Sequence, residues 1–276
     1  MLMQIARAVG DARHLQIAIL CVLLAVNLLG VDFGADPLAA LVGAVAALAT
    51  QAVCSRLVGM KTVEWRSALI ASLSLALLLR GDALWVHALA ASIAVASKFL
   101  IRVNDKHIFN PSALGIAVLI FATDHAWVSP GQWGTSLWFA ALLTFLAMLV
   151  LHASKRTDIA LFYLVCHTGL LLGRAWWLGD PIDIPINQLQ NGSLLLFAFL
   201  MISDPRTVPD ARLARFLFAA SVAVIAHILA FKFHLRPSLY AALILASAFI
   251  PLLDRLLPAS RFEWTPSKPK GDLQPC

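Results

Sequence analysis

Between Asn191 and Asp210 an apolar run of about ten residues stops at Ser203-Asp204-Pro205-Arg206-Thr207, half of the ~20 helical residues that cross a hydrocarbon core. A run of that length enters a membrane as a half-helix. The charge, hydroxyl and imino acid at its end are tolerated at depth only against other protein or a wet cavity. Broken helices of this kind build binding sites near the bilayer midplane. The stretch 191–210 is therefore expected to form one side of such a site.

The rest of the chain supplies the membrane. Hydrophobic residues make up 61% and charged residues 13%, with a mean hydropathy of +0.84, whereas soluble domains carry about 25% charged residues. Hydropathy and breaker residues give ten apolar segments: 15–30, 37–55, 67–79, 84–101, 111–123, 135–153, 158–178, 193–203, 213–231 and 237–253. The third, fifth and eighth are short. The fold class expected is an all-α polytopic membrane protein, one integral domain over 1–257 followed by a flexible Pro-, Lys- and Ser-rich tail, 258–276. No small-residue cleavage site closes the first apolar run, so no removable signal peptide is expected. Cys21, Cys54, Cys166 and Cys276 are far apart and offer neither a disulfide framework nor a CxxC motif.

Topology accounts for the basic charge. With the N-terminus cytoplasmic, seventeen of the 21 lysines and arginines lie inside, and only Arg80, Arg174, Lys232 and Arg236 lie outside. That asymmetry places both termini in the cytoplasm. The net charge of +6 is thus not a nucleic-acid footprint, and the partner it implies is membrane lipid. Trp85, Trp127, Trp133, Trp138, Trp176 and Trp177 fall at outer segment ends as an interfacial belt. Trp133, in Pro130-Gly131-Gln132-Trp133-Gly134-Thr135, could instead pack on a ligand.

The halves repeat. A gap-free shift of 126 residues places Ser67 on Ser193, Arg80 on Arg206 and Pro111-Ser112 on Pro237-Ser238. Five segments per half is an odd number, so the second half, about 135–253, inserts upside down relative to the first, about 15–123. Inverted repeats set their broken helices opposite each other.

The counterpart of the short stretch is therefore Arg102-Val103-Asn104-Asp105-Lys106-His107-Ile108-Phe109-Asn110-Pro111-Ser112-Ala113-Leu114-Gly115. Asn110 suits a helix cap and Pro111 the first turn behind it. A bare helix start flanked by Lys106 and His107 also attracts an anion, a phosphate or a reduced flavin ring. Ser203, Asp204, Arg206 and Thr207 offer the complementary set, although Asp204 and Arg206 can equally pair with one another.

Two motifs resemble a known family. Phe-Asn-Pro-Ser-Ala-Leu-Gly (109–115) and Met-Ile-Ser-Asp-Pro-Arg-Thr (201–207) are similar to motifs of the family that joins the RnfD component of the Rnf electron transport complex to the NqrB component of the sodium-pumping NADH:quinone reductase. The resemblance extends over nearly all ten segments and is strongest to a short, free-standing branch of enediyne-biosynthesis-associated membrane proteins. It implies a urea-transporter-like inverted-repeat fold in the bacterial inner membrane, working with partner proteins and a quinone. It also implies flavin, FMN or riboflavin, held by Asn104, Lys106, His107, Phe109, Asn110, Pro111, Ser112, Ser203, Asp204, Pro205, Arg206 and Thr207. Larger relatives attach FMN to a threonine in a Ser-Gly-Ala-Thr-type motif. This chain has none, and Thr135 is the only positional candidate, so the flavin expected is noncovalent.

Other polar residues in the segments are sparse. His87, His167 and His227 are ordinary core histidines or, if paired across facing helices, haem ligands. Asp124 and His125 could relay protons or simply end a hydrated helix. Asp180, Asp183, Asn187, Gln188 and Gln190 read as a solvated re-entrant loop or as a site for a cation or a sugar-like ligand. No nucleophile triad, metal-ligand cluster or phosphate-cradling glycine loop is present, which argues against a self-contained hydrolase or kinase. A small-solute channel, or a scaffold for a partner enzyme, would use the same fold without cofactor.

Overall fold

The structure is a computed structural model that describes residues 11–31, 34–60, 62–128, 137–154 and 156–262. Thr135, Trp133, Cys276 and the tail from 263 lie outside the described residues, as does the side chain of Trp138. The chain is helical almost throughout. In order, the helices are α1 (Ala12–Val26), α2 (Pro37–Leu57), α3 (Trp65–Leu78), α4 (Leu84–Leu100), α5 (Pro111–Ala122), α6 (Leu137–Ser154), α7 (Thr157–Leu178), α8 (Asp183–Leu189), α9 (Gly192–Leu196), α10 (Arg212–Phe231), α11 (Ser238–Ser247) and α12 (Ile250–Leu256).

The described parts of the ten apolar segments are helical, and the third, fifth and eighth are short as the sequence suggests, but α4 and the described part of α6 also fall below the length of a full span. Four helical stretches, Ala12–Leu29, Pro37–Leu57, Thr157–Leu178 and Arg212–Phe231, are long and apolar enough to cross a membrane. A fifth span forms if α11 and α12, bent by 44°, count as one. The protein is an all-α, multi-pass membrane protein. The structure adds what hydropathy cannot resolve. α1 and α9 continue as π-helical turns, Asn27–Val31 and Phe197–Met201. The last segment breaks at Ala248 and Phe249, and the expected loop after Asp180 contains the helix α8.

Charges collect at the two ends of the bundle. One end, here the basic face, carries Arg13 paired with Asp11 (2.7 Å) and Glu64 (2.8 Å), Arg66 with Asp11 (2.8 Å) and Arg215 with Asp158 (2.6 Å). The far face carries Arg174–Asp180 (3.0 Å) and His125–Asp82 (2.7 Å). A two-stranded ladder there, β1 (Arg80–Gly81) with β4 (Ala126–Trp127), ties the end of α3 to the end of α5. On the basic face a tight hairpin, β2 (Arg102–Val103) and β3 (Lys106–His107), links α4 to α5. Its turn residues Asn104 and Asp105 take left-handed φ values of 50° and 62°, which Asn and Asp tolerate better than most residues.

The two halves pack alike. α4 lies against α2 and α5 in the first half, and α10 lies against α7 and α11 in the second. Across the halves, α1 meets α6 and α5 meets α11. These are the elements that the 126-residue shift equates. The α4–α5 contact is close enough that a Cβ on Gly115 would stand 2.6 Å from the Ala90 carbonyl oxygen, so only glycine fits there.

Candidate functional site

Two half-helices meet end to end. α5 begins behind Asn110, whose side-chain oxygen accepts from the Ala113 N–H (3.0 Å) as a helix cap, and Pro111 fills the first turn, where a missing N–H costs nothing. The same Asn110 carboxamide donates from Nδ2 to the Met201 carbonyl (3.1 Å), the last residue of the π-helical turn. One buried side chain therefore joins both breaks, across 91 residues of sequence. The Ser112 hydroxyl donates to the Ala71 carbonyl on α3 (3.2 Å) and fixes the helix start sideways.

Next to this junction is a cavity of about 300 Å³ that reaches the basic face, the size of the smaller ligand sites. Ile70, Ala71, Phe99, Leu200 and Met201 give it an apolar wall, while His107, Asn110, Ser112, Asp204 and Arg206 bring polar groups from the two predicted stretches. Six residues expected from the motifs line it, Pro111 included. The others do different things. Ser203 donates its hydroxyl to the Phe199 carbonyl, and Thr207 donates its backbone N–H (3.1 Å) and its hydroxyl (3.4 Å) to the Asp204 carbonyl. Together with the buried Pro205 they hold the loop after the π turn. Phe109 is half-buried in the turn before α5 and does not line the cavity.

Asn104 and Lys106 face elsewhere. They line a second cavity with the end of α12, where Lys106 pairs with Asp254 (2.7 Å) and Asp210 (3.3 Å). A lysine held by two carboxylates is a clamp between the hairpin and the C-terminal helices rather than part of the junction cavity. Thr135 lies outside the described residues. Asp204 and Arg206 do interact, through the Arg206 backbone N–H and Asp204 Oδ1 (3.1 Å), which leaves the guanidinium exposed at the cavity.

Lys98 was not anticipated. It lies in the last turn of α4, only 8% exposed, and its ammonium donates to Gln51 Oε1 on α2 (2.9 Å) and to the Ser67 hydroxyl on α3 (3.2 Å). Gln51 in turn donates to the Ser55 hydroxyl (3.1 Å). Among the described residues no carboxylate lies within ion-pair distance of Lys98. Its only signals in the sequence are a cation inside an apolar segment and the match of Ser67 to Ser193.

The electrostatics follow from this crowding. Burial, then the charges of Arg206, Lys98, Arg102 and Lys106, pull the His107 imidazole down to about 3, so it is neutral at physiological pH. Burial raises the Asp204 carboxyl above its ordinary range, against the pull of Arg206 and Lys98.

Of the solitary histidines, two are half-buried and lie against aromatic rings. His167 stacks on the fully buried Tyr163 (centroids 5.4 Å apart), and His227 lies beside Phe231 (4.6 Å). α7 and α10, which carry them, pack directly on each other. His87 is buried in the other half. Among the described residues no cluster of metal-ligating side chains occurs, and the described cysteines are unpaired.

No curated protein matches the chain. A family match covers residues 126–263, half of the chain, and includes the Ser203–Thr207 loop but not the Asn110–Pro111 motif. On that match the chain belongs to the NQR2, RnfD, RnfE family.

Proposed function

We propose that the junction cavity holds a flavin, FMN or riboflavin, without a covalent bond. By family the protein is a membrane component of an electron-transport complex. On this reading it passes electrons between a partner protein and a quinone or an acceptor at the far face. Its place is the bacterial inner membrane, with the basic face and both termini cytoplasmic and the two five-helix halves inverted relative to each other.

The observation that carries this reading is a polar cavity at the meeting point of two half-helices, walled on one side by apolar groups and on the other by the positive end of α5, Lys98 and Arg206. Flat aromatic rings bury their faces against apolar walls and orient through a few polar contacts. Ile70, Phe99 and Leu200 supply the first, Asn110, Asp204 and His107 the second. When bound, a flavin supplies one- and two-electron transfer, and the protein supplies position and electrostatics. Lys98 and the start of α5 stabilise negative charge at the site. Asp204, from the opposite half-helix, accepts a proton or a hydrogen bond there.

The test is an absorption spectrum of the detergent-purified protein, before and after acid precipitation and with dithionite. Flavin bands that bleach on reduction and stay in the supernatant after precipitation are expected. Bands retained in the pellet would overturn the noncovalent assignment and bring back Thr135. Asp204→Ala and Arg206→Ala should each lower flavin content while leaving thermal stability near that of the parent. A colourless protein after purification with added flavin refutes the reading and leaves the cavity to a small solute.

A further inference from the structure

Lys98 has no fixed counter-charge, and the groups that hold it suit either of its protonation states. It is 8% exposed in the last turn of α4 and lines the junction cavity, which reaches the basic face. As an ammonium it donates to Gln51 Oε1 (2.9 Å) and to the Ser67 hydroxyl (3.2 Å). As an amine it keeps the donation to Gln51 and accepts from Ser67, because a hydroxyl both donates and accepts. Gln51 is held in place meanwhile, since its Nε2 donates to the buried Ser55 hydroxyl (3.1 Å). The shell is therefore satisfied with or without the proton. A carboxylate in place of Gln51 would hold the charge permanently.

The groups that face Lys98 from the neighbouring elements do not supply that carboxylate. On α2 the next is the Cys54 thiol, and ahead of α3 Glu64 is taken by Arg13 of α1 (2.8 Å). From the hairpin come Arg102 and His107, the latter neutral at physiological pH, and from the loop behind the π turn come Asp204 and Arg206. Arg102 and Arg206 are exposed, so water screens them. Asp204 accepts the Arg206 backbone N–H (3.1 Å) and lies beyond ion-pair distance of Lys98. An isolated ion in such surroundings is far costlier than a neutral amine, until negative charge arrives beside it.

We propose that Lys98 is the proton-holding residue of the junction cavity, an amine while the cavity bears no negative charge and an ammonium once it does. This rests on the flavin reading above. Two electrons delivered by the partner protein, together with one proton, leave one negative charge at the site. Lys98 then takes a second proton from water at the basic face, forming one N–H bond, and its new charge offsets the negative one. When the electron pair passes to the acceptor Lys98 returns that proton, so two electrons and two protons enter and leave together. In neither state does the cavity bury an uncompensated charge at Lys98.

Two measurements on the full-length protein in detergent test this. The first is the midpoint potential of the bound flavin between about pH 8 and about pH 9.5, above the range of histidine and below that of an ordinary lysine. Each proton taken up per electron pair adds about 30 mV per pH unit, so the parent should show about 60 mV and Lys98→Met about 30 mV. Because Lys98→Met also removes the bonds to Gln51 and Ser67, Gln51→Glu provides a second arm: it keeps Lys98 but gives it a carboxylate, and should also fall to about 30 mV. The second measurement needs no flavin and is trace acetylation of Lys98 read by mass spectrometry. From about pH 8 to about pH 10 an ordinary lysine gains roughly seventyfold in reactive amine, whereas Lys98 should gain less than about threefold, and Gln51→Glu should restore the steep rise. A slope of about 30 mV in the parent, or of about 60 mV in all three proteins, overturns the proton inference and leaves the flavin reading intact. A colourless protein refutes the flavin reading, and acetylation then decides alone: a shallow rise keeps Lys98 as a proton site for another ligand, and a steep rise removes it.

Discussion

Asn110→Ala tests the junction on which the site depends, and its cost can be built from two contacts. The first is the helix cap, Asn110 Oδ1 accepting from Ala113 at 3.0 Å, whose loss costs about 1 kcal/mol. The second is the bond from Nδ2 to the Met201 carbonyl at 3.1 Å. Asn110 is 5% exposed and Met201 1%, so alanine strands a buried carbonyl at roughly 1–3 kcal/mol. The expected destabilisation is therefore roughly 2–4 kcal/mol. Asn110→Asp separates the two contributions, because aspartate caps as well as asparagine but has no N–H for Met201 and sets a carboxylate against its carbonyl. It should lose about 1–3 kcal/mol from the second contact alone. Unfolding by sodium dodecyl sulfate in mixed micelles gives both values, and ligand content read in parallel should fall in both variants. An alanine variant within about 0.5 kcal/mol of the parent, or an aspartate variant as stable as the parent, would refute the view that one carboxamide joins the two half-helices.

Three further outcomes can be checked. His107 has a native pKa of about 3, below its unfolded value of about 6.5. Between the two the unfolded chain binds a proton that the native site excludes, so stability is complete above about pH 6.5 and is lost as pH falls, by up to about 1.4 kcal/mol per pH unit. His107→Asn should flatten that slope in unfolding midpoints taken at about pH 7 and about pH 5, on either side of the unfolded value, and an unchanged slope would dismiss His107 as its source. Lys106→Met leaves Asp210 and Asp254, 10% and 20% exposed in their side chains, facing each other without a cation, and should cost about 3 kcal/mol without lowering ligand content; loss of ligand would return Lys106 to the site. Gly115→Ala must push α5 from the Ala90 carbonyl, now 2.6 Å from the would-be Cβ, at roughly 1–3 kcal/mol. A variant as stable as the parent would show that the α4–α5 contact yields freely.

The helices were legible because membrane insertion is written residue by residue. Short apolar runs marked α3, α5 and α9, and local capping rules marked Asn110 and Pro111. The π-helical turns were not legible, since they arise from how α1 and α9 meet their neighbours and have no local composition. The motif window spans two cavities. Lys106 is adjacent to His107, but in β3 successive side chains point to opposite faces, so one enters the junction cavity and the other the second cavity. Gln51, Ser67 and Lys98 escaped for the opposite reason. Each is a lone polar residue in its own apolar helix, and only the packing of α2, α3 and α4 collects them. Lys98 in particular was indistinguishable from the cations that mark the basic face until its 8% exposure was known.

The proposed duplication sharpens what that packing means. Two equivalent junctions follow from it, one at each face, and their described residues differ in charge. Shifted by 126 residues, Lys98 becomes Val224 and His107 becomes Phe233. Arg206, exposed at the basic-face cavity, becomes Arg80, whose guanidinium donates to the Ala76 (3.0 Å) and Leu79 (2.9 Å) carbonyls at the end of its own half-helix. The same arginine position thus stops a helix end on one side and remains available to a ligand on the other. A transporter that alternates access between equivalent sites would need comparable polarity at both junctions. A protein that holds a ligand close to one face needs it only once, and the difference between Lys98 and Val224 and between His107 and Phe233 favours that reading over alternating access.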